Sequence, residues 1–97
     1  MCGSEMVKEE PWSDFERLVL IRCTRDMLPL MAEAMDRPLN QVVTKFLQLH
    51  EIFERQYEEE AKKYMSLGFM RDEAYEKVAN QEEIDVEKIR RLEENAA

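Results

Sequence analysis

Residues 38–68 read PLNQVVTKFLQLHEIFERQYEEEAKKYMSLG, and this stretch sets the architecture of the chain. Between Pro38 and Gly68 it has no proline or glycine, the residues that most readily interrupt a helix. Its apolar residues recur at spacings of three and four, which places them on one side of an α-helix. They are Leu39, Val42, Phe46, Leu49, Phe53, Tyr57, Ala61 and Tyr64. The pattern predicts one long helix over about residues 38–66, roughly 40 Å in length.

Two shorter helices are predicted before this stretch. Ser13 and Glu16 have the spacing of a capping box, in which each side chain accepts a hydrogen bond from the other residue's amide. They predict a helix from about 14 to 25, and Asp26 is placed to cap a second helix that ends before Pro38. The first helix would carry Phe15, Leu18, Val19 and Arg22 or Cys23 on one face. The second would turn Leu30, Met31, Ala34 and Met35 inward.

The sequence after Gly68 predicts a helical hairpin. Its helices would span about residues 71–80 and 86–94, the second capped by Asp85. The predicted fold class is therefore all-α with five helices. Its predicted parts are a flexible tail at 1–11, a helical unit at 12–50, and the long-helix extension with the hairpin at 51–97, the two helical parts sharing one domain.

The composition narrows the classes of function. The chain has 97 residues, with 22 acidic and 14 basic residues and a net charge of -8. Such an excess repels nucleic-acid phosphate and anionic lipid at long range, so that nucleic acid is disfavoured as a partner. A chain of this length also leaves little room for a deep catalytic cavity.

The cysteines and the apolar runs bear on the compartment. Cys2 and Cys23 are too few for a disulfide scaffold, which favours a reducing compartment. The first residues lack the features of a secretory signal, and the longest strictly apolar run, Leu18–Ile21, is far shorter than a membrane span. The prediction is an intracellular protein, cytoplasmic or nuclear, without a membrane partner.

The first half of the chain has Trp12 at a helix entrance, the short segment Met31–Met35, and Arg37 opening the third helix. In these features it resembles a Myb/SANT-type three-helix domain. An aliphatic residue five positions after this arginine and an aromatic residue nine positions after it, Val42 and Phe46 here, plug the core in that family. The resemblance implies a three-helix unit over about the first fifty residues, which in the family binds either DNA or histones and other proteins.

The last third of the chain contains the segment Leu67, Gly68 and Phe69, with Ala74 five residues after the phenylalanine and Val78 four residues after that. This pattern resembles a ubiquitin-associated (UBA) domain, which has a methionine-glycine-aromatic loop at the place of these three residues. The resemblance implies that the apolar residues of this loop contact ubiquitin. The same three residues are equally typical of a helix C-cap followed by a hydrophobic contact, and both interpretations stay open at this point.

Sequence patterns for catalysis or metal binding are weak. The single histidine, His50, lies four residues before Glu54, but nothing supplies the four ligands that structural zinc needs. Neither a glycine-rich phosphate loop nor a suggestive nucleophile–histidine spacing occurs, and Cys23 is expected to be a small core residue. We expect no enzymatic activity, no cofactor and no metal site.

The long helix suggests a partner-binding surface. With short helices grouped at its two ends, little of the chain is expected to cover its middle around residues 53–61. The primary prediction is a small protein-interaction module: an adaptor, an assembly factor, or an inhibitor or modulator of a larger complex, including a phage-type protein that acts on a host. It would form a homodimer or a hetero-complex through the long helix. The predicted partner-binding residues are Ile52, Phe53, Tyr57, Leu67 and Phe69.

The alternative prediction is a dimeric DNA-binding regulator of the Myb or helix-turn-helix type. In such proteins the third helix presents amide and basic side chains to the major groove. The first fifty residues carry six basic and eight acidic groups, which favours the protein-binding prediction without removing the alternative. The predicted DNA-binding residues are Arg37, Asn40, Gln41, Thr44, Lys45 and Gln48.

Overall fold

The computed structural model describes residues 11–96, which form an all-α structure measuring 55 × 28 × 17 Å. Six α-helices and one 3-10 turn are found there, so the prediction of five helices is wrong by one. The helices are α1 (Asp14–Arg22), α2 (Leu28–Met35), α3 (Leu39–Gln56), α4 (Glu58–Ser66), α5 (Arg71–Gln81) and α6 (Val86–Ala96), and the 3-10 turn is Arg25–Met27. The predicted tail, apart from Pro11, lies outside the described residues, as does Cys2.

The start of α1 is as predicted. The Ser13 hydroxyl oxygen accepts a hydrogen bond of 3.1 Å from the Glu16 amide, and the Glu16 carboxylate accepts one of 2.9 Å from the Ser13 amide. The helix ends at Arg22, about three residues earlier than expected, because the chain becomes extended at Cys23. This early end leaves room for the 3-10 turn before α2.

The predicted inner face of α2 is correct for Met31 and Met35, which pack against the core, and wrong for the other two residues. Leu28 and Ala32 are the buried residues of this helix, whereas Leu30 and Ala34 are exposed. Asp26 does not cap α2, because the helix is entered directly from the 3-10 turn and Met27 occupies the N-cap position. The buried face of α2 is therefore rotated about the helix axis relative to the prediction, and part of the helix's apolar surface faces outward.

The predicted long helix is interrupted at Tyr57. This residue has φ -117° and ψ 25°, outside the helical region, and it separates α3 from α4. Its hydroxyl oxygen accepts a hydrogen bond of 2.8 Å from the amide of Asp85, which ties the break to the start of α6. The three glutamates at 58–60 occupy the first turn of α4, where negative charge is favourable near a helix N-terminus.

The chain itself covers the middle of α3 and α4, contrary to the sequence-based prediction. Phe53 and Ala61 have no exposed surface. The ring of Phe53 lies 6.0 Å from the ring of Tyr75 on α5, and α5 packs along α4. The C-terminal hairpin folds back onto this surface because Gly68 reverses the chain after α4.

Gly68 ends α4 in a Schellman motif. Its φ of 106° lies in the left-handed region that favours glycine. The amide of Phe69 donates to the carbonyl of Tyr64 at 3.3 Å, and the amide of Gly68 donates to that of Met65 at 3.0 Å. The rings of Phe69 and Tyr64 meet edge to face, which is the hydrophobic contact that accompanies this motif.

Helix α6 packs against α1 and α3. Ile89 of α6 is fully buried, and the carboxylate of Glu93 lies between Arg17 of α1 and Lys45 of α3. Among the described residues, no helix combines the length and the apolar character that crossing a bilayer requires.

Candidate protein-binding surface

The residues predicted for partner binding on the long helix belong to the interior and its margin. Phe53 is fully buried, and Ile52 and Tyr57 are partly buried against the same core. Because Tyr57 also holds the Asp85 amide, it connects α3 to α6 within the chain. The structure therefore places these three side chains in roles that stabilise the fold.

Of the two predicted contact residues in the loop between α4 and α5, only Leu67 is exposed. Leu67 is 74% exposed, whereas Phe69 is partly buried against Tyr64, with the Lys77 ammonium 4.7 Å above its ring. The next residue, Met70, is 73% exposed and was not among the predicted contacts. Leu67 and Met70 thus form a small exposed apolar pair at the turn between α4 and α5.

A larger apolar surface lies between α1 and α2. An open groove of about 270 Å³ has Phe15, Leu18 and Val19 of α1 on one side, with Met27 and Met31 on the other. Arg22 and Cys23 close its far end. Of the apolar residues that line it, Phe15 is 75% exposed and Met27 is 40% exposed. We call this surface the apolar groove.

The groove exists because α1 is apolar on two faces. Arg17, Leu20 and Ile21 are its buried residues, turned toward the helices that pack on α1, namely α3, α5 and α6. Helix α2 packs on α3 instead, so the second face of α1, with Phe15 and Leu18, is left open. This second face is the one predicted from the sequence for the first helix, with Phe15, Leu18 and Val19. The apolar run at residues 18–21 was the available signal, because a helix that is apolar all round needs cover on every side.

A second depression, the acidic cleft, lies on the other side of the α1 C-terminus. It has a volume of about 760 Å³ and runs between α3 and α5. Ile21, Phe46 and Tyr75 contribute to its floor. Its charged lining residues are five carboxylates and two guanidinium groups: Glu51, Glu54, Asp72, Glu73 and Glu76, with Arg22 and Arg25.

Several of these charges are already paired. Glu54 accepts a hydrogen bond of 2.9 Å from Arg71, and Glu51 accepts one of 3.0 Å from Arg55. The Arg22 side chain donates to the carbonyl of Ala79 at 2.9 Å. On α5 the Glu73 carboxylate accepts a hydrogen bond from the Met70 amide, so Asp72 and Glu76 are the carboxylates available to a partner.

Two titratable groups in the cleft wall are kept neutral. The Nε2 atom of His50 lies 3.0 Å from the carbonyl oxygen of Leu20, to which it donates because that oxygen only accepts. Burial lowers the pKa of His50 and raises the pKa of the Cys23 thiol, whose sulfur donates to the same carbonyl at 3.4 Å. Among residues 11–96 no three histidine, cysteine or acidic side chains cluster as a metal ion would require.

All the predicted DNA-binding residues except Arg37 line a shallow depression of about 260 Å³ next to Trp12. Arg37 is buried, holds Glu16 through two hydrogen bonds of 3.1 Å, and stacks 4.0 Å from the Trp12 ring centroid. Lys45 pairs with Glu93. The structure thus brings the predicted amides and hydroxyl together, namely Asn40, Gln41, Thr44 and Gln48, while both cations are held by carboxylates.

Comparisons with known proteins return nothing. No family model, curated protein or solved structure matches this chain. The Myb/SANT and UBA resemblances accordingly stay predictions.

Proposed function

We propose that this protein is a small interaction module, without enzymatic activity, that binds another protein through the apolar groove between α1 and α2. The observation that carries the proposal is the exposure of Phe15 and Met27, at 75% and 40%, among the partly buried apolar side chains that line the groove. Large apolar side chains clustered on the surface of a small domain are typical of binding sites.

The dimensions of the groove suit a helical segment. From Phe15 to Cys23 the α1 side runs for roughly 12 Å, the rise of about two helical turns. A partner helix with apolar residues at spacings of three and four would lay them along this line. Each phenylalanine or leucine side chain removed from water contributes roughly 1.5–3 kcal/mol.

The two methionines on the α2 side make the groove adaptable. Met27 and Met31 are unbranched and repack easily around different apolar shapes. An adaptor, an assembly factor, or an inhibitor of a larger complex would all use such a surface. The alternative of DNA binding has weaker support, because Arg37 and Lys45 are held in ion pairs with Glu16 and Glu93.

The proposal is tested by selecting binders from a displayed library of helical peptides against the purified protein. Selected peptides are expected to share an apolar stripe at helical spacing. They should lose at least tenfold in affinity when Phe15→Ser and Met27→Ser are combined, because two apolar contacts disappear. Both side chains are exposed and neither belongs to the buried core, so this variant is expected to keep its helicity and its thermal midpoint.

The matched control combines Leu67→Ser with Met70→Ser, which removes the other exposed apolar pair. Peptides that lose binding with this variant and keep it with the groove variant would move the binding surface to the α4–α5 turn. That result would contradict the proposal and favour the interaction that the UBA resemblance implies.

A further inference from the structure

We infer that the segment bound in the apolar groove is amphipathic and basic, with lysine or arginine residues that reach the acidic cleft. This inference rests on the proposed function and specifies the chemistry of the partner. Its basis is the position of the two depressions on either side of the α1 C-terminus, together with the sign of the charge in the cleft.

The groove and the cleft share a wall. Arg22 and Cys23 line both of them. A segment that lies along α1 from Phe15 toward Cys23 therefore meets the cleft as soon as it passes the end of the groove. One continuous partner segment could therefore contact both depressions.

The cleft provides complementary charge. Asp72 and Glu76 lie one helical turn apart on the exposed side of α5, and within the described residues neither forms a salt bridge. Residues four apart on a helix project from the same face, so their carboxylates flank one another. Two basic side chains of a partner would meet both at once.

The two arginines of the cleft reduce this attraction without cancelling it. Arg22 is turned to the Ala79 carbonyl, and Arg25 is exposed at the start of the 3-10 turn. Arg55 and Arg71 already pair with Glu51 and Glu54, which leaves the three carboxylates of α5 against these two guanidinium groups, so the lining stays acidic overall. Arg25 opposes a basic partner, which makes it a sensitive position for the test.

The net charge of the chain argues against a second copy as the occupant. Each molecule carries a net charge of -8, so two copies repel one another at long range. A basic segment is attracted instead, and this attraction also raises its association rate.

The probes for the test are two labelled synthetic peptides of about 18 residues, long enough for the groove and the cleft together. Both carry the same apolar helical half, and the second half contains lysines in one peptide and serines in the other. Fluorescence anisotropy at low and high salt measures their affinities. We expect the lysine peptide to bind wild type about fivefold more tightly at low salt, with the difference largely lost at high salt.

Charge variants then locate the effect. Asp72→Asn combined with Glu76→Gln should remove the preference for the lysine peptide, whereas Arg25→Ala should increase it about twofold. Glu83→Gln combined with Glu94→Gln is the matched control, because these two carboxylates are exposed, lie outside the cleft, and give the same change in net charge. The control should keep the preference.

The outcomes separate the two proposals. If both peptides bind equally and both lose affinity in the Phe15→Ser, Met27→Ser variant, the groove is the binding site and the prediction of a basic partner is wrong. If neither peptide binds, the proposed function fails together with the inference. A dimer in light scattering that the groove variant abolishes would assign the groove to a second copy and overturn the inference.

Discussion

Arg17 and Glu93 lie 76 residues apart in the sequence and are joined in the structure by a hydrogen bond of 2.8 Å from Nε to Oε1. Both side chains are 8% exposed, and the other oxygen of Glu93 accepts from Lys45. Arg17 also donates to the Trp12 carbonyl at 2.8 Å. This cluster ties α6 to α1 and α3, so three helices depend on one carboxylate.

Glu93→Gln should therefore destabilise the protein by about 3 kcal/mol at neutral pH, since it leaves buried cations without their counter-charge. Urea unfolding followed by circular dichroism measures the loss. Glu94→Gln, at the exposed neighbouring position, is the control and should change stability by less than about 0.5 kcal/mol.

The same carboxylate predicts a loss of stability in acid. Burial alone would raise the pKa of Glu93, but hydrogen bonds from Lys45 and Arg17 outweigh it and hold the pKa below the usual value. A lowered folded-state pKa contributes stability that is present above the unfolded pKa and is lost as the pH falls through the folded one. When the pH is lowered from above the unfolded pKa of Glu93 to below its folded pKa, wild type should lose more stability than Glu93→Gln. Parallel pH profiles of the two proteins would contradict this.

His50 predicts that the free energy of unfolding also depends on pH in a second, higher pH range. Burial lowers its pKa below 6.5, so the unfolded chain binds a proton there more readily than the folded protein does. Stability therefore falls as the pH drops below the unfolded value, toward the folded one. His50→Gln, whose amide can still donate to the Leu20 carbonyl, should flatten the unfolding free energy between pH 7.5 and pH 5 (about two units around the unfolded pKa). An unchanged slope would show that other groups carry this dependence.

Phe53→Ala and Phe15→Ala should separate folding from binding. Phe53 has no exposed surface, so its truncation should cost about 3–5 kcal/mol. Phe15 is 75% exposed, and its truncation should change the free energy of unfolding by less than about 0.5 kcal/mol while weakening binding in the groove. Urea denaturation of both variants measures the difference, and a large loss of stability in Phe15→Ala would place that side chain in the core.

DNA binding can be tested directly. With Arg37 and Lys45 held by Glu16 and Glu93, we expect a labelled random duplex to show no salt-sensitive anisotropy change with the purified protein. Binding at low salt that weakens steeply as salt is added would reveal a clustered basic face and promote the alternative of a DNA-binding regulator.

Local signals predicted the helix ends where the capping groups are close in sequence. Ser13 and Glu16 form the expected capping box, and Gly68 ends α4 through hydrogen bonds within five residues. The break at Tyr57 was missed, because the apolar spacing continues across it and the hydroxyl that holds it bonds to Asp85, 28 residues later. The glutamates at 58–60, which favour a helix start, were the local signal.

The apolar periodicity of residues 38–66 required helices and a common buried stripe, since spacing along a helix depends only on local backbone geometry. Tertiary packing determines which apolar surfaces stay exposed. Arg17, Leu20 and Ile21 are buried because α3, α5 and α6 gather on that side of α1, and Phe15 and Leu30 are exposed because nothing described in the chain covers them. Burial of a side chain depends on all its neighbours in space. An apolar pattern in the sequence identifies the apolar faces of a helix but does not show which of them other helices cover.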